Sequence, residues 1–196
     1  MDVSRETLMD LEAYADEILK WNPKINLISR STVANIWQRH IEDSVQVFFP
    51  DQKTRKWVDI GSGAGLPGLV VAILAKTESP KTQVTLIESD QRKGAFCRSV
   101  IRKLDLNAKV LSERIESAPS QGADIVSARA LAPLSSLMSY ANLHLKTDGF
   151  AIFQKGAGWE AEVEEALANW RFTVEKRPSR TESAAVILTI GDIIRV

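Results

Sequence analysis

Apolar positions along the first fifty residues recur at helical spacing. Leu8, Leu11, Ala15, Ile18 and Leu19 share one face, and Asn22-Pro23 is expected to stop that helix. A second helix is expected from Thr32 to Phe48, with Ile36, His40, Ile41, Ser44 and Val45 near one stripe, closed by Pro50 and Asp51. From residue 57 the pattern changes to short apolar runs alternating with amphipathic ones. Strands are predicted at Trp57–Ile60, Gln83–Ile87, Ala108–Leu111, Ala123–Ser127 and Phe150–Gln154. Helices are predicted at about Pro67–Lys76, Asp90–Leu104 with Asp90 as N-cap, Pro133–Leu145 and Trp159–Asn169. Phe172–Glu175 and Ala185–Ile190 read as a closing antiparallel pair. Repeated strand–helix units predict an α/β fold with a mostly parallel, doubly wound sheet covered on both faces. The first fifty residues form a helical extension packed on a domain spanning 51–196. Right-handed crossovers then place the loops that follow the strands along one edge, where ligands bind in such sheets.

Composition narrows the class without naming it. Of 196 residues, 44% are apolar and 26% charged, enough apolar material for a real core. Net charge is zero, so no overall field points to a polyanion. Basic residues nevertheless outnumber acidic ones between 51 and 110, where Arg92, Lys93, Arg98, Arg102 and Lys103 gather, while the first fifty residues lean acidic. The basic stretch reads as a solvated helix face or as a nucleic-acid footprint. One cysteine, Cys97, leaves no intrachain disulfide and no multi-cysteine zinc site, and no His/Cys/Asp cluster has metal-ligand spacing. With no apolar run of bilayer length and no secretory pattern at the N-terminus, a cytoplasmic, monomeric protein without metal or membrane partner is expected.

The informative chemistry lies in Asp59-Ile60-Gly61-Ser62-Gly63-Ala64-Gly65-Leu66-Pro67-Gly68, between a strand and a helix. Glycines there allow a sharp bend and close approach of a ligand to the backbone. Pro67 suits a first helical turn, and free N–H groups at the helix start favour an anionic group. The spacing departs from a dinucleotide fingerprint, because Leu66 stands where a sixth-position glycine is required. It resembles motif I of Rossmann-like class I methyltransferases, whose loop holds the methionine part of S-adenosyl-L-methionine. Glu88, at the end of the second strand, is placed to accept two ribose hydroxyls.

Taken in order, further segments resemble the RsmG/GidB family of bacterial 16S ribosomal RNA guanine-N7 methyltransferases. They are Trp21 to Leu27, Arg39-His40-Ile41-Glu42-Asp43-Ser44, the glycine loop, Glu88 with Arg92-Lys93, Arg114-Ile115-Glu116, Ser127-Ala128-Arg129-Ala130 and Lys155-Gly156. The resemblance covers about Trp21 to Gly158. It implies S-adenosyl-L-methionine contacts at Gly61, Ser62, Gly63, Gly65, Leu66, Glu88, Ile115, Glu116 and Arg129, with an adenine flanked by Ile115 and Glu116. It makes Arg92, Lys93, Lys155 and His40 candidates for contact with 16S ribosomal RNA, free, within the small subunit or within an assembly intermediate. Ala128 stands where a hydroxyl residue is expected in many members, and Gln154 where an apolar residue is common.

The residue chemistry agrees with an acceptor that needs little activation. Methylation of a pyrimidine carbon requires a cysteine nucleophile, and Cys97 sits mid-helix without a preceding proline. Methylation of an exocyclic amine usually uses an Asn/Asp-Pro-Pro-aromatic loop after the fourth strand, where this chain has Ser127 to Ala130. Guanine N7 has a free lone pair and no proton to lose, so no general base is expected. Arg129 could meet cofactor, phosphate or guanine. A hydrogen bond from it to N7 would block the attacking lone pair, which favours the first two. His40, Trp21 and Trp37 are expected to serve mainly in packing. Methylation of another RNA, and a cofactor-sensing RNA-binding module without catalysis, remain the alternatives.

Overall fold

The structure is a computed structural model describing residues 3–50 and 55–196. The expected helix-closing role of Asp51 lies outside the described residues. Strands β1 (Lys56–Ile60), β2 (Gln83–Ile87), β3 (Ala108–Leu111), β4 (Ala123–Arg129), β5 (Leu145–Lys155), β6 (Trp170–Pro178) and β7 (Val186–Arg195) form one seven-stranded sheet ordered β3-β2-β1-β4-β5-β7-β6. The first five strands run parallel. β7 is antiparallel to β5 and carries β6 as the outer edge. The chain winds outward from β1 to β3 and then returns to place β4 on the other side of β1. The reversal opens a crevice at the carboxyl ends of β1 and β4, the place where open parallel sheets bind ligands.

Helices α3 (Gly68–Glu78) and α4 (Gln91–Lys103) cover one face of the sheet, and α5 (Leu134–His144) and α6 (Trp159–Leu167) the other. The eight residues Gly68–Ala75 of α3 are all buried, because the helix lies between the sheet and a further layer supplied by the N-terminal segment. That layer begins with α1 (Arg5–Ile25), capped by Ser4, whose Oγ accepts from the Thr7 N–H at 3.1 Å. Leu11, Tyr14 and Ile18 of α1 belong to the same apolar core as Val70, Ile73 and Phe96. Lys76–Asp10 and Lys103–Glu17 ion pairs at 3.0 and 2.8 Å border the contact.

The N-terminal segment departs most from expectation. α1 does not stop at Asn22-Pro23 but continues to Ile25 with Pro23 inside it. Pro23 falls in the last turn, where it forfeits a single helical hydrogen bond. Beyond it the Asn22 side chain accepts the Ile28 N–H at 2.9 Å, and Asn26 closes the helix in the left-handed region at φ 51°. The single helix expected over Thr32–Phe48 is three pieces: a 3₁₀ turn at Arg30–Asn35, a π-helical turn at Trp37–Glu42 and α2 (Asp43–Val45). Such π turns concentrate at functional sites.

Elsewhere the differences are at ends. α3 starts at Gly68 after a cis Leu66–Pro67 bond. β4 and β5 each gain residues, and α6 ends at Leu167. The closing hairpin is nearly twice as long as predicted. Asp90 caps α4 as expected, accepting the Arg92 and Lys93 N–H groups at 2.8 and 3.2 Å. These bonds hold its carboxyl below the usual carboxylate range. Among the described residues no helix is long and apolar enough to cross a membrane.

Candidate active site

At the end of β1 the backbone turns through Gly61, Gly63 and Gly65, all at positive φ. The Gly61 and Ser62 N–H groups donate to the Ile87 carbonyl at 2.9 and 3.2 Å, and the Ser62 Oγ donates to the Asp59 carbonyl at 2.9 Å. The tight turn is therefore fastened to β2 as well as to β1. Gly65 serves packing: a Cβ there would lie 2.4 Å from Leu69 Cδ1. Gly63 differs. A Cβ on it would meet only the Gly61 carbonyl, at 3.9 Å, and otherwise open space.

Glu88 turns this loop into a site. One carboxylate oxygen accepts the Gly63 N–H at 2.7 Å and the other accepts the Asp90 N–H at 2.7 Å. Each oxygen keeps a second lone pair, and the side chain borders the cavity. The carboxylate is thus oriented from both sides before any ligand arrives.

Behind the loop lies a buried polar chain. Trp57 Nε1 donates to Ser127 Oγ at 2.9 Å, which donates to Asp59 Oδ1 at 2.7 Å. Burial pushes the Asp59 carboxyl up to about 6, against hydrogen bonds from its neighbours that favour the charged form. From α1, the buried Tyr14 hydroxyl donates to the Ala64 carbonyl at 2.7 Å, and burial raises its pKa well above the usual phenol value. Cys97 reaches the Gly63 carbonyl at 3.7 Å, and burial pushes its thiol far up. It is a packed neutral thiol rather than a nucleophile.

Opposite the loop, four distant segments meet at Asp43. Its Oδ2 accepts from Arg129 at 3.3 Å and from Gln154 Nε2 at 2.7 Å, and its Oδ1 accepts from Thr181 Oγ1 at 2.7 Å. Arg129 also donates to the Arg39 carbonyl at 3.1 Å and to His40 Nδ1 at 2.9 Å. Since Arg is a donor only, Nδ1 accepts and the His40 proton sits on Nε2, which donates to Thr32 Oγ1 at 2.8 Å. Burial, then the Arg129 charge, lower the His40 pKa to about 4, so the ring is neutral at physiological pH. Arg39 and Glu182 form an exposed ion pair at 2.5 Å, joining the N-terminal segment to the β6–β7 loop.

The two groups of residues enclose one cavity of about 660 Å³, within the roughly 300–1,000 Å³ range of small-molecule sites. Of the residues expected from the sequence, the structure brings Gly61, Ser62, Gly63, Leu66, Glu88, Arg129, Lys93, Lys155 and His40 to its lining. Gly65, Ile115, Glu116 and Arg92 lie outside that lining. The backbone carbonyl of Ile115 accepts from the buried His144 Nε2 at 3.0 Å, and Glu116 accepts the Tyr140 hydroxyl at 2.9 Å, so α5 fastens both residues. Arg92 is exposed beside Asp90. Lys155 is not a free loop cation: it pairs with Glu162 at 2.6 Å and donates to the Ala132 carbonyl at 3.0 Å.

Sequence reasoning did not single out Asp43, Gln154, Thr181 or Glu182 as site residues. Asp43 lay within a quoted segment and Gln154 was noted as a departure. Thr181 and Glu182 carry no local signal, since only the hairpin returns them to the cavity. Among the described residues no group of three or more His, Cys, Asp or Glu side chains could hold a metal ion.

The glycine loop, the acidic end of β2 and the strand order together define a Rossmann-like methyltransferase fold. Solved structures share it. A SAM dependent methyltransferase from Aquifex aeolicus aligns with a TM-score of 0.60 at 15% identity, covering 90% of this chain and 96% of its own. A fibrillarin/Nop5p complex aligns with a TM-score of 0.59 at 12% identity, over 79% of this chain and 81% of that one.

Sequence comparison is more specific. The GidB family model, rRNA small subunit methyltransferase G, matches residues 7–186, and the chain belongs to that family. It is 50% identical to the ribosomal RNA small subunit methyltransferase G of Ruegeria sp. (strain TM1040), over all of this chain and 96% of that protein. It is 47% identical to the protein of the same name from Gluconobacter oxydans (strain 621H), over 99% and 98%.

Proposed function

We propose that this protein transfers the methyl group of S-adenosyl-L-methionine to N7 of a guanine in 16S ribosomal RNA of the small subunit. The observation that carries the reading is the Glu88 carboxylate, held by the Gly63 and Asp90 amides at the rim of the glycine loop, with the opening above Gly63 left clear. The remaining lone pairs of Glu88 suit two vicinal ribose hydroxyls, and the space above Gly63 leaves room for the nucleoside to approach the backbone. The family resemblance assigns the adenine to Ile115 and Glu116, which α5 fastens just outside the cavity lining. The relatives' names supply the small-subunit RNA, and the family resemblance supplies the atom.

The cofactor supplies an already activated methyl group, so what the chain contributes is placement. The glycine loop and Glu88 fix the nucleoside, while Asp43, Arg129 and Gln154 shape the acceptor half. No side chain needs to remove a proton from N7. His40, with both ring nitrogens engaged, serves to orient Arg129. Lys93 and Arg92 at the start of α4 lie toward RNA phosphates, and Lys155 acts through its pair with Glu162. The first fifty residues act as an extension of the methyltransferase domain, since they complete its core and wall its cavity. The protein works as a cytoplasmic monomer on the small subunit or an assembly intermediate of it.

The test is incubation with 16S ribosomal RNA, or small subunits lacking the modification, and tritiated cofactor, followed by mapping of the labelled base. A single 7-methylguanosine is expected. Label at another base or on another RNA would overturn the acceptor assignment. Cofactor binding without turnover on any of these RNAs would support a sensing module instead.

A further inference from the structure

The acceptor half of the cavity carries three cation–carboxylate pairs: Arg129–Asp43 at 3.3 Å, Lys155–Glu162 at 2.6 Å and Arg39–Glu182 at 2.5 Å. Arg39 and Glu182 are exposed, at 43% and 44%, where solvent screens them. Arg129 and Asp43 are sheltered, at 17% and 18%. Of the three cations, Arg129 is the one on the strand that pairs with β1, from which the glycine loop departs. β1 and β4 pair up to Asp59 opposite Ser127, and just beyond that pair Gly61 opens the turn after β1 while Arg129 ends β4, so both border the crevice. The Arg129 charge reaches through the loop to the buried Asp59 carboxyl, favouring its ionised form.

We propose that Asp43 is a positioning residue that cancels the charge of Arg129, so that the cavity accepts a sulfonium and then a cationic product without repulsion. The proposal rests on the reading of this cavity as a sulfonium-nucleoside site. In the transfer, the N7 lone pair forms the N–C bond while the S–C bond breaks and its electron pair stays on sulfur. The positive charge leaves sulfur and appears on the purine, and no proton is released. Two cationic centres therefore succeed each other next to Arg129. An uncompensated guanidinium would oppose both, because Coulomb energies grow in a sheltered site. Asp43 lines the same cavity as the loop and is tied down by Gln154 and Thr181. It thereby also fixes which guanidinium edge faces the cavity.

The test compares affinities for S-adenosyl-L-methionine and its neutral thioether product, S-adenosylhomocysteine, by calorimetry on the intact protein without RNA. In Asp43→Asn the sulfonium should lose about tenfold relative to the thioether. In Arg129→Gln, which leaves Asp43 unbalanced, the ratio should shift several-fold the opposite way. The double variant should return to the native ratio. Loosened structure alone would weaken both ligands alike and leave the ratio unmoved, so unchanged ratios in both single variants would overturn the proposal. If Asp43→Asn does not fold, the sign of the Arg129→Gln shift decides alone. A native protein that binds neither ligand would overturn the cavity reading itself and this inference with it, whereas native binding with unchanged ratios overturns this inference only.

Discussion

The two walls of the cavity are built by different physics. The glycine-loop wall is backbone: amides and carbonyls of consecutive residues, with the Glu88 carboxylate bonded to main-chain N–H groups. The opposite wall is side chain: Asp43, Arg129, Gln154, His40 and Thr181, drawn from four segments and joined by hydrogen bonds and an ion pair. The first wall is set once the sheet and α3 form. The second exists only when distant parts of the chain converge, and its charges make it sensitive to pH and to neighbours. Substitutions on the first wall should therefore act through ligand contact and backbone shape, and those on the second through electrostatics.

The largest expected effect is at the join between the loop and β2. Glu88→Ala removes the acceptor of two amides and of the ribose. Charge-assisted bonds of this kind are worth about 1.5–3 kcal/mol each. Cofactor affinity should fall about a hundredfold or more in calorimetry. Near-native affinity would remove Glu88 from the site.

Next is Gly63→Ala. At φ +56° an L side chain costs about 1–2 kcal/mol, which lowers the melting temperature by only a few degrees in a chain of this size. The methyl group would stand in the open space above the loop. Cofactor affinity should drop by about tenfold or more while the fold persists. Gly65→Ala supplies the contrast: its Cβ would strike Leu69, so stability should suffer first.

How far each wall could be read beforehand follows from the same difference. The strand–helix alternation, the glycine loop and Glu88 were legible because their signals are local: periodicity, a run of glycines, an acid at a strand end. Asp90 as a cap was legible for that reason too. The broken helix over residues 30–45 was not, since apolar spacing there fits a regular helix. The 3₁₀ and π turns are accompanied by contacts such as His40 to Thr32 and Arg129 to the Arg39 carbonyl. Pro23 misled in the opposite direction, because in the last turn a proline forfeits only one helical hydrogen bond and the helix runs on to Ile25. Gln154 looked like a departure from an apolar position, and its explanation lies in Asp43, 111 residues away. Thr181 and Glu182 could be found only by folding the hairpin.

The second wall should respond to acid. The His40 pKa is lowered in the folded protein, from 6.5 to about 4. Between those values the unfolded chain binds a proton that the folded one refuses. His40 thus costs nothing above pH 6.5, and stability is lost progressively as pH falls toward 4. With its partial exposure the loss should be about 1–2 kcal/mol, and His40→Gln should flatten that part of the curve. Asp59 acts in reverse. Its raised pKa, about 6 against 3.8, makes the folded chain hold a proton that the unfolded one releases, so its contribution weakens stability as pH rises from 4 to 6. Denaturant titrations across pH 4–7 on native and His40→Gln protein separate the two slopes. An unchanged slope in the variant would show that the wall does not depend on a neutral imidazole.

The smallest effect belongs to the rim. Arg39 and Glu182 are both about two-fifths exposed, and solvent screening leaves such a pair little net stabilisation. Glu182→Gln should leave the melting temperature within a few degrees of native, and salt should already weaken the pair in the native protein. Its removal bears on the comparison because Arg39 then becomes an unpaired cation at the cavity mouth, while its carbonyl still holds Arg129. RNA affinity should rise slightly at low salt as Arg39 becomes free for a phosphate, and cofactor affinity should not move. If cofactor affinity fell with Glu182 gone, the ion pair would be holding the sheltered network in place, and the division between a screened rim and an electrostatically coupled wall would have to be redrawn.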